Sequence, residues 1–195
     1  MFIKTNSNGR MKIYNNTNIN SKHKKAVVAI GNFDGLHLGH QKVLKEAKAM
    51  AKKFKLPLGL ITFEPMPVMF FNKKIKNHRI NSLNQKKYFL KKQKLDFLVI
   101  IKFNKIFSSL TAERFIENII YKKINCKYIF ISRNFKFGFK RKGNLKTLKF
   151  FENKFGYKSI ITKPYKKDKK IISSTMIRKK IVSGKMNETN KLLGR

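Results

Sequence analysis

The feature that most limits the fold is an alternation: short apolar runs recur, and each is followed by a segment with helical periodicity. Ala26–Gly31, Leu56–Phe63, Leu95–Lys102, Lys127–Ser132 and Tyr157–Lys163 read as buried strands. Gly39–Phe54, Ser82–Lys94, Thr111–Lys123 and Asn144–Phe155 read as helices, and another spans about Ser173–Ser183. In the first helix Val43, Leu44, Ala47, Ala51 and Phe54 share one face, with lysines on the other. Thr111 can cap the third, and Gly156 and Gly184 can close the last two. Parallel strands need long crossovers, and helices of about 10–15 residues supply them. The predicted architecture is α/β, a Rossmann-like doubly wound five-stranded parallel sheet in residues 26–195. Residues 1–25 read as a loosely structured polar N-terminal extension, apart from Met11–Tyr14. Ligands of such sheets bind at the carboxyl ends of the strands, so function is expected in the loops there.

Composition excludes several classes. No apolar run approaches the roughly 20 residues of a membrane span. A single cysteine, Cys126, rules out an intramolecular disulfide framework and a multi-cysteine zinc site. The polar start has no secretory core, so a cytoplasmic setting is expected. Lys plus Arg is 47 against 9 for Asp plus Glu, a formal net charge of +38. Such a chain attracts nucleic acids and phosphorylated small molecules alike. Of the 47 basic residues 40 are lysine, and Asn, Ile, Phe and Tyr, which also have A/T-rich codons, abound. Genome composition therefore competes with a tuned binding surface as the source of the charge.

One loop concentrates chemistry. Gly31-Asn32-Phe33-Asp34-Gly35-Leu36-His37-Leu38-Gly39-His40 holds three of the ten glycines and two of the four histidines. It joins a strand to a helix, whose amide-lined N-terminus attracts anions. Gly35 and Gly39 allow close backbone approach, and His37 and His40 can reach one phosphate group from adjacent positions. Without a third histidine nearby, zinc is a weak alternative. A second anion site is expected at Ile172-Ser173-Ser174-Thr175-Met176-Ile177-Arg178, where a serine caps a helix and Arg178 projects a planar fork. Arg133–Lys142 interleaves basic and aromatic residues. It reads either as a phosphate-facing loop or as a stacking platform for RNA. Pro65-Met66-Pro67-Val68-Met69-Phe70-Phe71, within a loop over Glu64–Asn81, could wall a flat ring. His23 and His78 are expected in solvent, and Asp96 and Asp168 as surface charges.

These segments together resemble one family. Gly31–His40 is similar to the ATP-binding motif of the HxGH nucleotidyltransferases, and above all to the FMN adenylyltransferase module of bacterial riboflavin kinase/FAD synthetases. Thr62-Phe63-Glu64-Pro65-Met66-Pro67, Asn134-Phe135-Lys136-Phe137-Gly138 with Gly143-Asn144, Ile172–Arg178 and Leu192-Leu193-Gly194-Arg195 resemble further motifs of that module. The resemblance runs from Met11 to Arg195. Met66 stands where the family usually has histidine, and Ser132 and Arg133 replace its usual pair. The sequence ends where the family's kinase barrel starts, so either a monofunctional synthetase or a fragment is expected, without riboflavin phosphorylation.

The resemblance implies transfer of AMP from ATP to the phosphate of FMN, giving FAD and pyrophosphate. It implies catalytic roles for His37, His40, Asn134 and Arg178. ATP is expected at Gly31, Phe33, Asp34, Gly35, Gly39, Ser174 and Thr175, and the flavin at Pro65, Met66 and Pro67. Mg²⁺ is expected on the phosphates, with its protein ligands undetermined. No specific nucleic-acid or membrane partner is implied. A sibling enzyme with another phosphorylated acceptor and a basic nucleic-acid-binding protein stay open as alternatives.

Overall fold

A computed structural model describes residues 11–75, 78–168 and 170–195; the first ten residues of the expected extension lie outside the described residues. The described chain begins with β1 (Lys12–Tyr14), β2 (Val27–Ile30), α1 (Leu38–Phe54) and β3 (Leu58–Glu64). Next come α2 (Pro67–Phe71), α3 (Leu83–Lys92), β4 (Phe97–Lys102), α4 (Lys105–Ser108) and α5 (Ala112–Arg114). A π-helix over Phe115–Ile124 prolongs α5. Then follow β5 (Tyr128–Ile131), α6 (Leu145–Phe150), α7 (Glu152–Phe155) and β6 (Lys158–Ile161). A hairpin of β7 (Lys166–Lys167) and β8 (Lys170–Ile171) leads into α8 (Ser174–Val182) and α9 (Met186–Leu193).

All five expected strands are present, in a six-stranded sheet of order β1-β4-β3-β2-β5-β6. Every neighbouring pair in it is parallel. The sixth strand, β1, corrects the expected count. Three residues are too few to show a period, and only pairing with a distant strand (Ile13 opposite Leu98) makes them one. His23 fixes this segment. It is buried, its Nδ1 hydrogen-bonded to Tyr14 Oη at 2.8 Å and its ring stacked on Phe97 with centroids 4.9 Å apart. Burial holds its pKa below the usual imidazole value, so the expected solvated histidine is a neutral core residue. Asp96 is exposed, as expected of a surface charge. Its Oδ2 accepts from the Leu58 amide at 2.7 Å and ties β4 to β3.

Alternate residues of a strand face opposite ways. Val28 and Ile30 enter a core with Phe115, Ile116 and Ile120, while Val27 and Ala29 enter another with Val43, Leu44 and Ala47 of α1. Helices thus cover both faces, which is why the strands read as unbroken apolar runs. Each fully buried side chain of this size contributes about 1.5–3 kcal/mol. The expected loop over Glu64–Asn81 contains α2, and the expected helix over Asn144–Phe155 breaks at Phe151. From β2 the chain builds outward through β3 and β4, then returns to add β5 and β6 on the other side. The crevice at this switch point is the natural ligand site.

Candidate active site

His37 ends the loop after β2 as the N-cap of α1. Its Nδ1 accepts a hydrogen bond from the His40 amide at 3.3 Å. An accepting Nδ1 puts the ring proton on Nε2, leaving that N–H as a donor. The two imidazoles stack, centroids 3.7 Å apart and planes 22° from parallel, and the His40 ring lies 4.9 Å from that of Phe33. Gly39 makes this possible: a Cβ there would lie 3.0 Å from two atoms of the His37 ring. Burial pushes the His37 pKa down to about 4, with Asp34 opposing and Arg178 assisting. Burial also holds His40 well below the usual value, helped by His37 and Lys86. Both rings are therefore neutral at pH 7.

The loop is held from behind. Asp34 is 1% exposed, accepts from the Ile80 and Asn81 amides at 3.0 and 3.4 Å, and pairs with Arg178 Nη2 at 2.6 Å. Arg178 Nε donates to the His78 backbone carbonyl at 2.7 Å, which holds the chain there. Ser174 Oγ donates to the Asp34 carbonyl at 2.9 Å. The C-terminal residues complete the support: Gln41 Nε2 donates to the Leu193 carbonyl at 2.8 Å, and Arg195 donates to the Gly35 carbonyl at 3.2 Å. Phe33 and Leu36, with φ of 47° and 43°, take left-handed backbone, a strain on the order of 1–2 kcal/mol each that these contacts hold.

A cavity of about 760 Å³ opens at the carboxyl ends of the central strands. Gly31, Phe33, His40 and Ser174 line it together with Asn134 and the basic side chains of Lys136, Lys140 and Arg141. Phe63, Phe71, Phe103, Phe107, Phe135 and Phe137 bring aromatic surface, with Pro67 and Val68 beside them. Gly138 is required where this loop turns, since its φ is +71° and a Cβ would lie 2.6 Å from the Ala112 amide nitrogen.

The structure therefore divides the expected site residues. Gly31, Phe33, His40, Pro67, Asn134 and Ser174 line the cavity together. His37 stacks behind His40, and Gly35 and Gly39 serve the loop's shape. Pro65 and Met66 lie off the cavity wall; Met66 is 1% exposed, turned into the protein at the start of α2. Arg178 and Thr175 line a separate groove with His78 and Lys179, and Arg178 is already engaged by Asp34. Asp34 is a brace. Sequence reasoning missed Phe103, Phe107, Asn72 and Ile75, which line the cavity. The phenylalanine-rich stretch Phe103-Asn104-Lys105-Ile106-Phe107 was the available signal, with 18 phenylalanines in the chain.

A doubly wound parallel sheet with a histidine-bearing, helix-capping loop at its switch point defines an α/β fold of the nucleotidyltransferase type. A family profile described as FAD synthetase matches residues 19–176, and the chain belongs to that family. It is 44% identical over 184 residues to the bifunctional riboflavin kinase/FMN adenylyltransferase of Buchnera aphidicola subsp. Schizaphis graminum, covering 94% of this chain. It is 34% identical over 178 residues to that of Haemophilus influenzae, covering 91% of this chain. The chain spans 58% of the length of each of these relatives. A solved Streptococcus pneumoniae structure described as a macrolide-efflux protein has a TM-score of 0.80 and 31% identity, covering 95% of this chain and 61% of that one. Among the described residues, no helix is long and apolar enough to cross a membrane.

Proposed function

We propose that residues 26–195, with β1 completing the sheet, act as an FMN adenylyltransferase. ATP and FMN bind in the cavity and yield FAD and pyrophosphate. The observation that carries this reading is the stacked, neutral imidazole pair at the start of α1, with His40 opening onto a cavity lined by both basic and aromatic side chains. The FMN phosphate is ionised at neutral pH, its second pKa being about 6. It needs no base. One of its oxygens bonds to the α-phosphorus of ATP as the bond to the bridging α–β oxygen breaks, and pyrophosphate leaves with that electron pair. The protein's task is alignment and stabilisation of the charge that gathers on the phosphates.

His40 donates from Nε2 to the phosphates, and His37 keeps the pair in place at the positive end of α1. The arriving triphosphate raises the proton affinity of both rings, strengthening these contacts. Asn134, Lys136, Lys140 and Arg141 line the same cavity and offer the phosphates polar and positive contacts. Phe63, Phe71, Phe103 and Phe107, with Pro67, offer flat apolar surface for the isoalloxazine. Arg178 serves through Asp34, by holding the loop.

Mg²⁺ fits as an ion carried by the triphosphate. Asp34, in the histidine loop, and Glu64, at the end of β3, are occupied by Arg178 and Arg79. Among the described residues no group of three or more His, Cys, Asp or Glu could hold a metal. Asn134 offers a cavity-lining oxygen, and the bound ion would neutralise phosphate charge. Phe137 is buried against Phe115, which favours the phosphate-facing loop over an RNA platform. A reducing cytoplasm suits a chain with a lone, buried cysteine. The test is incubation with FMN, ATP and Mg²⁺ followed by chromatography. FAD and pyrophosphate are expected in equal amounts; adenylylation of a different phosphorylated acceptor, with no FAD, would overturn the reading.

A further inference from the structure

Among the described residues, the buried polar side-chain atoms with no hydrogen-bond partner are His40 Nδ1, Glu64 Oε2, Arg79 Nε and Lys86 Nζ. The chain leading into α3 is tied to the histidine loop, since Asp34 accepts from the Ile80 and Asn81 amides. Glu64 is paired with Arg79, and Lys86 feels the charges of Asp34, Glu64 and Arg79 while itself acting on His40. Lys86 projects from α3, which Ser82 and Gln85 start with a capping box, and it is 2% exposed. A lysine so deeply buried is rare without a partner or a task. The carboxylates that act on it, Asp34 and Glu64, are both paired with arginines, and among the described residues no ion pair reaches its ammonium.

The two orphaned nitrogens are complementary. An ammonium has three donors and no acceptor, and a neutral imidazole whose proton sits on Nε2 has an acceptor at Nδ1. Nδ1 of His40 is the sequestered nitrogen, which leaves Nε2 for the cavity the ring lines. We propose that Lys86 is a positioning residue for His40: its ammonium, through a bridging water, supplies the donor that Nδ1 lacks and fixes the ring with Nε2–H toward the cavity. A carboxylate behind a histidine makes it a better base. A cation there does the reverse, keeping the ring neutral and making its N–H a stronger donor to an anion. The charged and titratable groups acting on His40 are His37 from its own loop and Lys86 from α3, with Asp34 and Glu64 beyond. The inference deepens the phosphate-binding reading of the site and rests on it for its catalytic consequence.

The test is read on the ¹⁵N-labelled chain without ligands, by long-range proton–nitrogen correlation of the histidine rings, with His40 assigned by its loss in His40→Gln. In the wild type, His40 is expected to be protonated on Nε2 alone and to stay neutral into the acid range. In Lys86→Met it should become a mixture of tautomers and titrate at higher pH. Lys86→Gln, which keeps a donor without the charge, should retain the tautomer while the titration still moves up; it decides the matter if the methionine variant does not fold. Unchanged tautomer and titration in folded Lys86→Met, or unchanged titration in Lys86→Gln, would overturn the proposal. The kcat for FAD formation should fall about tenfold in Lys86→Met with little change in KM for ATP. If the wild type forms no FAD, the proposed function fails while the ring spectra still decide the role of Lys86.

Discussion

Replacing Asp34 by asparagine changes little in shape and removes one buried charge. The Asp34 side chain is 2% exposed and that of Arg178 25%, at a separation of 2.6 Å. Removing one partner of a buried pair costs about 3–5 kcal/mol, because the other charge is stranded. Arg178 keeps partial access to water and its bond to the His78 carbonyl at 2.7 Å, which puts the cost at the lower end. The side-chain oxygen of the introduced asparagine can still accept from the Ile80 amide, while the longer contact from Asn81 at 3.4 Å contributes at most about 0.5 kcal/mol. The net expectation for Asp34→Asn is a loss of about 3 kcal/mol in urea unfolding. For a chain of this length that is a fall of about 6–12 °C in Tm. Arg178→Met should cost about as much, since it strands the carboxylate. The double variant should lose less than the sum, with a coupling of about 2 kcal/mol. Additive losses, or an Asp34→Asn variant within about 0.5 kcal/mol of wild type, would show that Arg178 is not anchored by Asp34.

Acid should weaken the fold through His37. Its folded pKa of about 4 lies below the ordinary 6.5, so the unfolded chain takes up a proton that the native state refuses. Stability is full above about pH 6.5 and falls as pH drops toward 4, by about 3 kcal/mol from this group alone. His37→Asn keeps an N-cap acceptor and should flatten that part of the profile; a wild-type-minus-variant difference that does not change with pH would contradict the assignment. His40→Ala should lower kcat for FAD formation by roughly 10²-fold or more through loss of a donor to the phosphates. Circular dichroism should show the fold retained, and near-normal turnover would remove His40 from the mechanism.

The strands and main helices were legible because their information is local. Runs such as Phe97–Ile101 are apolar throughout, as a strand covered on both faces must be, and the stripe Val43, Leu44, Ala47, Ala51 carries its own period. The histidine loop was legible for the same reason: glycines, a helix start and two imidazoles fall within ten consecutive residues. What tertiary structure decided is partnership between distant segments. Lys12–Tyr14 is a strand only because Phe97–Val99 lies alongside it, and His23 is a core residue only because Tyr14 and Phe97 enclose it. Arg178 and Asp34 are 144 positions apart, and no local pattern reveals that the guanidinium expected on phosphate is spent on a carboxylate. Burial acts in the same way on Lys86, written in sequence as one more basic residue in a lysine-rich helix, and on Met66, written as a flavin contact. A side chain's charge and shape are fixed by its identity, but its protonation, partners and exposure depend on what folds over it.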